Sequence, residues 1–141
     1  MIFVSNTQKD LPIDKSSVRA LVKEVLSFLK ISYGEVSLYF VGEKKIGALH
    51  AQFFQDPTPT DCISFPIDDD HLGEIFVCPA VALQYAKKRK RDPYRELALY
   101  IVHGLLHLIG YDDLETKAKE AMRKKEKSCM RHLDRLKIDL L

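Results

Sequence analysis

The stretch VHGLLHLIGYDD, Val102 to Asp113, places two histidines four residues apart in an apolar run, followed by a glycine and two aspartates. Four residues on an α-helix advance about 400°, which leaves His103 and His107 about 40° apart and about 6 Å along the axis. Two imidazoles so placed can converge on one small cation. Upstream, Asp92-Pro93 offers an N-cap and a first-turn proline, so a helix is predicted from there to Gly110. That helix is apolar nearly all round, which makes it a core helix around which the other elements must gather.

Gly110 stands where a left-handed C-cap would end the helix and turn the chain sharply. Asp113 lies three residues further on. Positions 103, 107, 110 and 113 keep the register of the zinc-protease pattern H-E-x-x-H-x-x-G-x-x-H, in which the turn after the glycine returns a third ligand. Two residues depart from that pattern: Gly104 replaces its glutamate and Asp113 its third histidine. Two histidines and a carboxylate are an accepted zinc set, and the carboxylate makes the site harder and tolerant of other divalent ions. The missing glutamate removes the usual general base, so no catalytic proton acceptor is identifiable here.

The plainer alternative is a pair of core histidines satisfied by hydrogen bonds, since an unpartnered buried imidazole costs roughly 1–3 kcal/mol. One cation would satisfy both rings at once, and the metal reading is preferred: His103, His107 and Asp113 as ligands. Asp112 could ligate instead, but the register favours Asp113. Glu96, two turns before His103 on the same face, reads as a surface or supporting residue. His50, His71 and His132 read as structural or exposed.

The remaining chain supplies the other layer. Ile2–Ser5 reads as an opening strand, and Asp14 or Ser16 can cap a helix whose Val18, Leu21, Val22, Val25, Leu26 and Leu29 recur at helical spacing. EVSLYFVG alternates Val36, Leu38 and Phe40 as a strand ending at Gly42. EKKIGALHAQFF predicts a helix with Ile46, Leu49 and Phe53 on one face. DPTPTD cannot continue it. CISFPI and GEIFVCP read as two strands joined by the turn-like DDDHLG, and helical pattern returns from Ala80 through Ala86. A last amphipathic helix is predicted from Leu114–Thr116 to about Leu136, with Ala118, Met122, Cys129, Leu133 and Leu136 inward. Interspersed strands and helices without repeats predict one domain over 1–141, an α+β fold with a small mixed sheet of about four strands and about five helices.

Composition bounds the function classes. With 46% apolar and 30% charged residues over 141 positions, the chain is globular and can bury a core. A net charge of +2 makes no case for nucleic acid by itself. The basic residues nonetheless concentrate in KKRKR (Lys87–Arg91) and in Lys117–Arg131, which taken alone read first as solvated helix faces. Cys62, Cys78 and Cys129 are odd in number and show no CxxC spacing, which fits free thiols in the cytoplasm. The N-terminus lacks the basic and apolar regions of a signal peptide, and no window approaches a membrane span.

Read together, these segments are similar to the YbeY family of bacterial rRNA maturation factors, which are metal-dependent endoribonucleases. HGLLHLIGYDD resembles its signature H-G-x-L-H-L-x-G-Y-D-H. PTDCISFP (Pro59–Pro66) is similar to its P-T-D-V-L-S-F-P, LGEIFVCP (Leu72–Pro79) to its L-G-D-I-x-I-S, and ELALYIVHG to its E-L-x-x-L-x-V-H-G. The resemblance covers essentially the whole chain. It implies a sheet of four strands with about five helices, and one zinc ion held by His103, His107 and Asp113. It also implies cleavage of single-stranded rRNA in 16S rRNA 3′-end maturation and ribosome quality control, with the small ribosomal subunit as partner. Asp113 occupies the place of the family's third histidine. His50 and Phe54 occupy its usual asparagine and arginine, so backbone recognition by that arginine must pass to other groups, for which the two basic segments are the candidates.

Three functions compete on this reading. The first is metal-assisted phosphodiester cleavage, with water or a ribose 2′-hydroxyl as nucleophile. The second is a ribosome assembly factor that binds RNA or a ribosomal protein around a largely structural metal. The third, a peptide hydrolase, is disfavoured by the absent glutamate.

Overall fold

The structure, a computed structural model, describes residues 1–68, 70–138 and 140. Asp69, in the turn expected between the two middle strands, lies outside the described residues. The elements run β1 (Ile2–Asn6), α1 (Lys15–Phe28), β2 (Glu35–Phe40), α2 (Glu43–Phe54), β3 (Cys62–Pro66), β4 (His71–Val77), α3 (Pro79–Arg89), α4 (Pro93–Leu108) and α5 (Thr116–Leu136). The four strands form one sheet in the order β1-β2-β4-β3. β1, β2 and β4 run parallel, and β3 pairs antiparallel with β4 as an edge. Four strands in a mixed sheet with five helices is the α+β architecture expected from the sequence.

The period of two sorts the sheet's faces. Val36, Leu38 and Phe40 of β2 and Ile75 and Val77 of β4 are fully buried in the main core with α1 and α4. Ile63 and Phe65 of β3 point to the other face, where a smaller cluster gathers around Ile46 of α2. The alternate residues of β3, Cys62 and Ser64, therefore turn towards α4, and this places a polar edge beside the histidine helix.

α4 is the core helix. Its N-cap Asp92 accepts a hydrogen bond from the Tyr94 backbone N–H at 3.0 Å, and Pro93 occupies the first turn. Leu97, Ile101, Val102, Leu105 and Leu106 are fully buried, each contributing about 1.5–3 kcal/mol relative to exposure. The helix rests on β3 and β4 and is flanked by α3 and α5.

Two predicted inner faces extend too far. On α5, Met122, Cys129, Met130 and Leu133 are buried, whereas Ala118 is half-buried and Leu136 exposed. The apolar stripe is covered where α4 and α1 underlie the middle of α5, and its ends project beyond them. On α2, Ile46 is buried and Leu49 half-buried, but Phe53 is exposed, its ring set edge-on to that of Phe65 with centroids 4.9 Å apart.

At Gly104 the helix comes so close to the sheet that an added Cβ would lie 2.8 Å from Ile75 Cγ2 and 3.2 Å from Ser64 Oγ. Ile75 is fully buried and cannot yield freely. Gly104→Ala is therefore expected to destabilise the fold by about 1–3 kcal/mol through overpacking, despite alanine's better helix propensity. Urea unfolding measures this, and an unchanged or raised midpoint would show that the helix can lift without cost.

Candidate metal centre

His103 and His107 project from the last two turns of α4, and their Nε2 atoms lie 3.0 Å apart. Each ring's other nitrogen is engaged. His103 Nδ1 meets the Glu126 carboxylate of α5 at 2.7 Å, and His107 Nδ1 meets the Tyr111 carbonyl at 3.0 Å. A carbonyl and a carboxylate only accept, so each Nδ1 is placed to donate, and an imidazole that donates from Nδ1 alone turns its Nε2 lone pair inward. Two facing lone pairs at that separation repel unless a proton or a cation lies between them. The donor set thus fits a divalent ion, with the second nitrogens held as metal-ligating imidazoles usually are.

The glycine turn behind this arrangement is a Schellman motif. Gly110 adopts φ +106°, its N–H bonds the His107 carbonyl, and the Tyr111 N–H bonds the Leu106 carbonyl. The same reversal aims the Tyr111 carbonyl back at His107 and brings Asp113 round. His103, His107 and Asp113 each offer one ligand atom, and these atoms lie within 4.8 Å of one another. Asp112 is otherwise occupied: its Oδ1 accepts from the Leu114 N–H at 3.2 Å.

The local field favours a cation. Burial opposes charge on His103, but the Glu126 hydrogen bond, with Asp61 and Asp113 further out, lifts its pKa above the ordinary histidine value. Burial, and then Asp61, Glu126 and Asp113, push the Cys62 thiol well up.

A cleft of about 550 Å³ opens on this centre. His107, Asp112 and Asp113 line one side, and Cys62, Ser64, His50 and Phe54 line the other. His50, read from sequence as structural or exposed, belongs to the cleft wall. Its Nδ1 bonds the Thr58 carbonyl at 2.8 Å, and its ring lies 5.5 Å from that of Phe54. His132 stacks on Phe28 at 4.4 Å near Glu24, and His71 lies 3.6 Å from Glu35; both are remote from the cleft. Glu96, read from sequence as a surface or supporting residue, is 8% exposed and lines a cleft between α4 and α5. Glu126 is the site residue that the sequence reading missed. Its signal was a carboxylate four residues after Met122 and four before Met130, inside an otherwise apolar stripe.

A core helix with two converging imidazoles, closed by a glycine turn that returns a carboxylate beside an open cleft, defines a class: small α+β proteins with a candidate single-metal centre. The family model described as endoribonuclease YbeY matches residues 3–134, and the chain belongs to that family. It is 47% identical over 144 residues to endoribonuclease YbeY of Protochlamydia amoebophila, across 98% of this chain and 96% of that one. It is 39% identical over 139 residues to endoribonuclease YbeY of Chlamydia felis, across 92% and 88%. The solution structure of TM1509 from Thermotoga maritima superposes with a TM-score of 0.70 at 30% identity, covering 94% of this chain and 89% of that one. The resemblance drawn from the sequence motifs is borne out.

Removing the carboxylate behind His103 should loosen the site without touching the three candidate ligand atoms. Glu126→Ala is expected to weaken zinc binding about 10–100-fold, and Glu126→Gln, which can still accept from Nδ1–H, by less. Competition with a chromophoric chelator reads both. Equal affinities for wild type and Glu126→Ala would show that the hydrogen bond does not hold the ring for a metal.

Proposed function

We propose that the chain is a metal-dependent endoribonuclease that cuts single-stranded rRNA. One zinc ion would be held by His103, His107 and Asp113, and the physiological task would be 3′-end maturation of small-subunit rRNA and ribosome quality control in the cytoplasm. The observation that carries the reading is the inward-facing Nε2 pair with Asp113 in reach, in a chain of the YbeY family. Names of relatives such as endoribonuclease YbeY of Protochlamydia amoebophila support RNA as the substrate.

A bound divalent ion supplies Lewis-acid stabilisation of charge on the phosphoryl group and a lowered pKa for water. The chain's own residues do the rest. Glu126 and the Tyr111 carbonyl keep both Nδ1 atoms protonated, so the imidazoles present basic Nε2 atoms at a fixed separation. Gly110 fixes the turn that delivers Asp113. Phe54, 56% exposed on the cleft wall, offers a π-face where the resemblance leads one to expect an arginine. Stacking of one base on an aromatic ring is worth about 1–3 kcal/mol, and an unpaired base is free to make it. Single-stranded RNA is thereby favoured over duplex.

A second reading keeps RNA binding but not cutting, motivated by Phe54 and Asp113, which stand where the resemblance leads one to expect an arginine and a histidine. One experiment separates the two. Purified protein should contain about one zinc per chain by elemental analysis and should cleave a labelled single-stranded rRNA fragment, with loss of activity in chelator. His107→Ala should lose both bound metal and cleavage. Cleavage undiminished in metal-free His107→Ala would sink the proposed mechanism, and binding without turnover would establish the assembly-factor reading.

A further inference from the structure

The cleft that opens on the candidate metal centre contains no lysine or arginine among its lining residues. A polyanionic strand passing through it needs its phosphates gripped elsewhere. On the other side of His103, a second cleft of about 400 Å³ lies between α4 and α5. Arg91 and Arg95 line it from the start of α4, and Arg123, Lys127 and Arg131 line it from α5. The last three stand at i, i+4 and i+8, so one helix face carries them in a row.

All five cations are exposed, whereas the carboxylates of Glu96 and Glu126 are largely buried beneath them. Five cations against two carboxylates leave a formal charge of +3 on the lining. Arg95 is paired with Asp134. Among the described residues, Arg91, Arg123, Lys127 and Arg131 have no carboxylate partner. Leu99 and Met130 give the cleft an apolar floor, which suits ribose and base edges better than a hydrated inorganic anion. Glu126 lines this cleft and also bonds His103 at 2.7 Å, which ties the cleft to the histidine pair.

We infer that the α4–α5 cleft holds the phosphodiester backbone of the RNA strand flanking the bond to be cut, with Arg123, Lys127 and Arg131 as the principal phosphate-binding groups. This rests on the RNA-cleaving reading of the metal centre. The basic run at Lys87–Arg91 contributes only its last residue to the cleft.

The test measures binding apart from cleavage. A fluorescein-labelled oligouridylate long enough to span both clefts is titrated with full-length protein in chelator at several salt concentrations. The cleft variant is Arg123→Gln, Lys127→Gln and Arg131→Gln together. The matched control is Lys15→Gln, Arg19→Gln and Lys23→Gln, exposed at the same helical spacing on α1. The cleft variant should bind roughly tenfold or more weakly, and its slope of log affinity against log salt should fall by about 2, near 0.7 for each phosphate no longer neutralised. The control should change far less. Circular dichroism melting checks that both fold, and if the triple variant does not, Lys127→Gln alone should reduce the slope by about 0.7.

Equal losses in the two variants, or no loss in either, would overturn the inference. So would displacement of the oligonucleotide by an acidic peptide as effectively as by unlabelled RNA, which would assign the cleft to a protein. The two proposals fail separately. Wild-type protein that cuts RNA while the cleft variant binds normally refutes only the cleft. Wild-type protein that never cuts, with binding abolished in the cleft variant alone, refutes only the nuclease.

Discussion

The contact that the site depends on is the seating of α4 on the sheet at Gly104, where Ile75 comes so close that a Cβ would force it to shift and the Ser64 hydroxyl would be crowded. The Ser64 hydroxyl donates to the Gly104 carbonyl at 3.0 Å, fixing the helix on the β3 edge as well as at β4. With position 104 facing straight into the sheet, helical geometry leaves no freedom for its neighbours. His103 lies 100° to one side, and His107, three residues on, lies 60° to the same side. Both imidazoles therefore emerge along the flank of the helix, beyond the main core but not fully in solvent. A helix standing further off could rotate, and the Nε2 atoms would then lose their common point.

That flank position explains why the supporting groups come from different parts of the chain. The helix's own C-terminal turn supplies the Tyr111 carbonyl, and α5 supplies Glu126. α5 in turn is held by Met122, Cys129, Met130 and Leu133. Leu133 and Met130 lie within two turns of Glu126, so burial of that apolar stripe sets where the carboxylate stands. Core packing and site geometry are here one constraint.

Most of the architecture was legible because its signals are local. Asp92-Pro93, Gly110, the alternation of Val36, Leu38 and Phe40, and the apolar spacing of α1 each depend on a few neighbouring residues. The ligand register was legible for the same reason, since four residues of helix and one glycine turn bring His103, His107 and Asp113 near each other. What required coordinates was long-range. Glu126 reaches His103 across 23 positions, and no short pattern announces the pairing. Gly104 read as an absent base when taken alone, but its identity answers to Ile75, 29 residues away on another element. The burial of Glu96 and the place of His50 in the cleft wall were likewise not legible, because both are properties of the assembled fold. The exposed ends of α5 show the converse error: an apolar stripe says which face can be buried, while the partner helices decide how much of it is.

The charge map is the one that a metal ion at the candidate centre would require. A lysine or arginine within about 4 Å of a divalent ion would oppose it by several kcal/mol even at an effective dielectric near 20. The lining of the metal-side cleft accordingly carries Asp112 and Asp113 but no fixed cation. A phosphodiester strand has the opposite requirement, since each phosphate gains by meeting a guanidinium or ammonium. One small cleft cannot satisfy both at full strength without pairing its own charges. Here the two linings belong to separate clefts, and the Glu126 carboxylate, which lines the basic one, also meets the His103 imidazole at 2.7 Å.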